Sequence, residues 1–156
     1  MVRHRTRIRE YESSDWPHLC VIHDEARKQE LEASGLMDAF LTLEETAEGE
    51  GLFDGKVLVA DDEGIPLGFI AIAEGEITWL YVSPRHQRRG VARRLVREAI
   101  SCESGPVSLD VLEGNEAALQ LYLSEGFEVV KRVSGRLTGN KAFAATGLVL
   151  RHHGVA

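Results

Sequence analysis

Residues Val82-Ser83-Pro84-Arg85-His86-Gln87-Arg88-Arg89-Gly90-Val91-Ala92-Arg93 run from an apolar strand end, through a loop containing glycine, into the start of a helix. The first turn of a helix carries four backbone N–H groups that no helical carbonyl can take. The helix dipole favours an anion at the same place. Gly90 lets a ligand approach the backbone closely, Ala92 keeps the next position small, and Arg88, Arg89 and Arg93 add full positive charges. The combination reads as a pyrophosphate cradle. It is not a P-loop, because no GK[ST] follows, and it is not the GxGxxG of a dinucleotide site. A run of charge is more commonly a solvated helix face. Six arginines confined to one loop and helix start, directly after a strand, weigh against that reading.

The arginines stand out because the rest of the chain is acidic. Its 156 residues carry a net charge of −7, with 44% hydrophobic and 28% charged side chains. That length suits one domain, 1–156, and the composition suits a folded soluble protein. Residues 85–97 carry +6 and residues 24–63 carry −10. The overall balance speaks against a nucleic-acid partner, since such a partner needs a wide positive field. The acidic block reads as a solvated face, or as a surface that attracts cations. Cys20 and Cys102 fall in no CxxC or Cys/His spacing, so neither a disulfide framework nor a metal site is expected. His18, His23, His86, His152 and His153 form no ligand set. His18 and His23 read as structural and His86 as solvated. No apolar run approaches the ~18 residues of a membrane span and no signal core follows the basic start, so a cytoplasmic protein is expected.

The elements that would hold the cradle follow from periodicity and punctuation. Residues 6–11 read as a strand. Ser13 or Ser14 offers a cap for a helix running to about Lys28, with Pro17 tolerated in its first turn. A second helix is expected over 37–47. Strands at 56–60, 66–73 and 76–82 make an antiparallel meander. A helix over 91–101 buries Val91, Leu95, Val96, Ala99 and Ile100. A strand at 106–112, a helix at 115–124 closed by Gly126, and strands at 127–133 and 142–150 complete the order βααβββαβαββ. The β-α-β unit makes strands 76–82 and 107–112 parallel neighbours. The class is α+β, an α/β sandwich with a mixed, mostly antiparallel sheet and helices on both faces.

Gln87-x-x-Gly90-x-Ala92, after Leu80-Tyr81-Val82-x-Pro84, resembles the acyl-CoA-binding motif of the GNAT superfamily of N-acetyltransferases. Asn115-x-x-Ala118-x-x-Leu121-Tyr122-x-x-x-Gly126-Phe127 resembles that family's second signature, and the element order matches too. The resemblance is strong over 66–130 and weak over 1–55. It implies acetyl-CoA as acyl donor, no metal, and a primary amine as acceptor, on a small molecule or a protein. The backbone of Leu80, Tyr81 and Val82 would pair with the pantetheine arm, with the Val82 N–H as donor to the thioester carbonyl. Gln87 to Arg93, Val91 included, would hold the pyrophosphate, and Asn115 would touch the cofactor arm.

Acetyl transfer by direct attack needs a neutral amine, a stabilised carbonyl oxygen and a protonated thiolate. Tyr122 is the candidate acid, although Leu119, Tyr122 and Leu123 also read as one core face. Glu76, eleven residues before Gln87, and Asp110, on the neighbouring strand, are candidate bases, and each reads equally as an ordinary strand-end charge. Glu74 reads as a turn residue, and ordered water is the remaining option. A non-catalytic acyl-CoA-binding or regulatory module is the alternative function. The acceptor is open, and monomer or homodimer are both compatible.

Overall fold

The computed structural model describes residues 6–154. Seven strands form one sheet: β1 (Thr6–Glu10), β2 (Lys56–Asp62), β3 (Ile65–Ala73), β4 (Glu76–Val82), β5 (Val107–Leu112), β6 (Glu128–Leu137) and β7 (Asn140–His152). Four helices connect them: α1 (Trp16–Ala33), α2 (Leu43–Thr46), α3 (Val91–Ser101) and α4 (Glu116–Ser124). The spatial order is β1-β2-β3-β4-β5-β7-β6, and every pairing is antiparallel except β4 with β5. This is the expected α+β class and the expected order of elements.

The sheet is covered on both faces. Leu19 and Ile22 of α1 and Leu43 of α2 pack against Val57, Val59, Phe69, Ala71 and Trp79. Leu95, Val96, Ala99 and Ile100 of α3 and Tyr122 of α4 pack on the opposite face, against Ile70, Ile72, Ile77, Leu109 and Val111. Alternation along β4 follows: Trp79 and Tyr81 belong to the α1 face, Leu80 and Val82 to the α3 face.

β4 and β5 share a single register pair, Glu76 with Ser108, supported by Ser108 N–H donating to the Gly75 carbonyl at 2.9 Å. Beyond that point the strands separate, and the sheet is split. One residue of β4, Thr78, bulges out of the β3 register.

Several boundaries differ from expectation. Helix α1 enters through a 3-10 turn at Ser13–Asp15, and neither Ser13 nor Ser14 caps it; instead the Asp15 carboxylate takes the Glu12 N–H at 2.8 Å. It continues past Lys28 to Ala33 and stops at Gly35, whose φ is +71°. The helix expected over 37–47 is broken in two. A 3-10 turn covers Met37–Ala39, Phe40 is extended, and Thr42 starts a new helix by a reciprocal cap with Glu45. Strand β7 runs from 140 to 152 and β6 to 137, so this hairpin is longer than read, and its tip reaches the 3-10 turn that follows α1: Asn140 Nδ2 donates to the Ala39 carbonyl at 3.1 Å.

Candidate functional site

The split between β4 and β5 opens into a cleft of about 540 Å³, lined by β4, β5, β7, the middle and end of β6, α1 and Tyr122. That volume lies in the ordinary range for small-molecule sites.

Ser83 N–H donates to the Leu67 carbonyl at 2.8 Å, which makes Val82–Gly68 and Ile70–Leu80 the pairs without mutual hydrogen bonds. The N–H groups of Leu80 and Val82 therefore point away from β3, toward the gap that β5 has vacated. The Tyr81 N–H is directed to β3. The Val82 carbonyl accepts from Gln87 Nε2 at 3.2 Å, so the strand end and the loop after it are tied together.

That loop carries the residues expected to form the cradle. Pro84–His86 form one 3-10 turn, Arg88 has a φ of +64° and Gly90 a φ of +82°. Gly90 is the N-cap of α3 and offers no side chain, so the first N–H groups of the helix remain open to an anion. Val91 is buried under the helix start and Ala92 packs against the core. Four of the six arginines are engaged elsewhere. Arg85 pairs with Glu25, Arg94 donates to the Thr6 carbonyl, and Arg93 and Arg97 both grip Glu125. The Arg93 guanidinium thus holds the end of α4 and not the expected cradle. Arg88 and Arg89 are exposed and have no ion-pair partner among the described residues. His86, expected in solvent, has a buried Nδ1 without a hydrogen bond, and burial with nearby Arg89 and Arg85 pushes its pKa down.

Tyr122 is buried, its ring edge-on to Phe127 at 5.6 Å, and its hydroxyl makes no hydrogen bond among the described residues. Burial, with the charge of Glu30, raises its pKa well above the tyrosine range. Leu123, expected on the same buried face, is 39% exposed, because that side of α4 faces solvent.

Glu76 and Ser108 are register partners, so their side chains share a face, and Asp110, two residues on, shares it too. Both carboxylates line the α1 side of the cleft. Partial burial first, then the charge of Asp110, raises the Glu76 pKa. Lys131 lies on the same row as Asp110, since both are register partners of Val149.

Sequence reasoning missed Glu30. Its carboxylate accepts from the Tyr81 hydroxyl at 3.0 Å, from Asn115 Nδ2 at 3.3 Å, and from Arg27. Asn115 caps α4 through its Oδ1, which accepts from the Ala118 N–H at 3.4 Å. Its side chain, expected on the cofactor arm, is thereby occupied at both ends. His23, buried beside Tyr81 at 4.8 Å, holds Asp24 at 2.9 Å, and burial lowers its pKa. Among the described residues no group of three or more His, Cys, Asp or Glu side chains could hold a metal ion.

Comparison with known proteins agrees with this geometry. The family model described as an acetyltransferase (GNAT) domain matches residues 53–129. YafP of Escherichia coli K12, named as an uncharacterized N-acetyltransferase, is 31% identical over 128 residues, 80% of this chain and 83% of YafP. This chain belongs to the GNAT family of N-acetyltransferases. Solved structures share its fold. A GCN5-related N-acetyltransferase from Rhodopseudomonas palustris superposes with a TM-score of 0.77 at 18% identity, covering 98% of both chains. YncA of Salmonella typhimurium, solved with its cofactor acetyl-CoA, superposes with a TM-score of 0.65 at 19% identity, covering 96% of this chain and 94% of that one. Among the described residues of this GNAT protein, no helix is long and apolar enough to cross a membrane.

Proposed function

We propose that the protein moves the acetyl group of acetyl-CoA to a primary amine by direct attack in the β4–β5 cleft. The observation that carries this is the split itself. It has on one side the edge of β4, whose Leu80 and Val82 N–H groups turn away from β3, and on the other Tyr122, with Leu80 and Tyr122 both in the lining. The pantetheine arm would lie in the gap as a substitute strand. The diphosphate would rest on the N–H groups of Val91 to Arg93, with Arg88 and Arg89 over it. Cys20 and Cys102 are both free, which fits a reducing compartment such as the cytoplasm.

The chemistry follows from the placement. The amine lone pair attacks the thioester carbon, and the C=O electron pair moves onto oxygen, where the strand N–H groups stabilise it. Collapse breaks the C–S bond. Tyr122 gives its proton to the departing sulfur and recovers one from solvent, while the amine's proton leaves through Glu76 or Asp110, directly or by way of water. A tyrosine is a weaker acid than a thiol in water, by about 1.5 pKa units. The burial that raises Tyr122 also penalises a thiolate in the same cleft, so the gap does not widen by the full rise.

The test pairs binding with turnover. Calorimetry with CoA and thiol release from acetyl-CoA against a panel of amines should show micromolar-range binding and amine-dependent release. Binding without release on any amine would replace this reading with the non-catalytic acyl-CoA module. Absent binding at millimolar CoA would remove both.

A further inference from the structure

Beyond Glu76 and Ser108 no register joins β4 to β5, yet acetyl transfer needs groups from both sides at fixed separation. Among the described residues, one side chain hydrogen-bonds to both. Glu30 takes Tyr81 of β4 on one oxygen and Asn115, at the head of α4, on the other. We propose that Glu30 is a positioning residue for acetyl transfer, a strap across the split that fixes the distance between the strand N–H groups and Tyr122. The role rests on the proposed function, since it is defined by that reaction.

The carboxylate is well placed to be rigid. Its helix is anchored by Leu31, which is fully buried, and its side chain is only 23% exposed. Arg27 pairs with it and donates from its other arm to the Thr138 carbonyl at 3.3 Å, so the β6–β7 tip holds the strap from outside. At the β4 end, Tyr81 lies between the two residues whose N–H groups face the gap, with its ring fixed by His23 and Phe69. At the other end, Asn115 is the cap of α4. Tyr122 follows it by seven residues, two turns on the same side of the helix. A shift of the cap is therefore a shift of the tyrosine. Glu76 and Asp110 line the cleft but make no hydrogen bond to either end.

Misplacement by about 1 Å can cost about 100-fold in rate. Glu30→Ala should lower kcat by about 10- to 100-fold, with the Kd for CoA changed by less than about threefold. Glu30→Gln keeps an oxygen acceptor and should recover part of that loss. Adding Tyr81→Phe to Glu30→Ala should cost less than the sum of the single effects, because both cut one contact. A second readout needs no substrate. The chain has three tyrosines, and Tyr11 is remote from Glu30, its own environment being set by burial, Asp15 and Cys20. In 13C-tyrosine spectra of Glu30→Gln, the Tyr81 and Tyr122 ring signals should both move and the Tyr11 signal should stay. A kcat for Glu30→Ala within twofold of wild type, or a kcat loss matched by an equal loss of CoA affinity, would overturn the proposal. So would spectra in which Tyr81 moves and Tyr122 does not. If wild-type protein transfers acetyl to no amine, the function fails on its own assay, while the Tyr81 signal still reports whether its contact with Glu30 exists.

Discussion

Replacing Tyr122 with phenylalanine removes one oxygen from a ring that is 7% exposed and packed edge-on against Phe127 at 5.6 Å. The hydroxyl has no hydrogen-bond partner among the described residues, so the change leaves no buried group orphaned. A volume-conserving swap of this kind costs less than about 1.5 kcal/mol. The catalytic loss should be much larger. A positioned general acid contributes about 10²- to 10⁴-fold, equivalent to about 3–5 kcal/mol of barrier. Single-turnover acetyl transfer, followed by thiol release, should fall by that factor. The CoA dissociation constant should stay within about threefold, about 0.7 kcal/mol. Separation of the two quantities is the point of the experiment. A rate within threefold of wild type, with the melting temperature preserved, would make Tyr122 a core residue and leave the leaving thiolate to solvent.

Other consequences follow from the same contacts. Arg88→Ala with Arg89→Ala should weaken CoA binding by about tenfold or more and flatten its salt dependence, whereas Arg97→Ala, whose charge already serves Glu125, should leave affinity unchanged; equal effects in calorimetry would refute the assignment of the cradle charges. Asp110→Asn removes the neighbour that disfavours ionised Glu76, so the Glu76 carboxyl should titrate lower in 13C spectra; no change would mean that the two carboxylates do not face each other. Arg9 holds Asp15 at 2.9 Å and the fully buried Asp61, and Arg9→Met should destabilise the fold by about 3–5 kcal/mol in denaturant melts, an unchanged midpoint refuting it. The Arg9 guanidinium depresses both carboxyl pKa values in the folded state. Their stabilisation is therefore complete above about pH 4 and lost as pH falls through the folded values, so the cost of Arg9→Met should shrink in acid.

Much of this was legible because it is local. Strand alternation, the glycines at 90 and 126 and the stripe of α3 each act within a few residues, and the segment 87–93 and Tyr122 fall in the expected elements. What was illegible acts across long separations. Glu30 sits in an acidic stretch that reads as a solvated face, and its partners are 51 and 85 residues away. Arg93 reads as cofactor charge because its partner Glu125 lies 32 residues on, at the end of another helix. The break at Phe40 was local and still missed: Thr42-Leu43-Glu44-Glu45 carries a capping box that starts a new helix there, but the apolar residues on either side of it look periodic. The splay of β4 from β5 has no local sequence signal, since a parallel neighbour is defined by the crossover and its register by tertiary packing.

The most direct test of the account is a co-titration. Wild-type protein with 13C-labelled acetyl-CoA, followed by NMR as amine is added, reports where the acetyl group lies and whether it moves. The account expects perturbation of the Leu80 and Val82 amides on binding, then amine-dependent conversion of the thioester signal to an amide. A thioester that perturbs neither amide, or that binds there and persists with every amine offered, would contradict it.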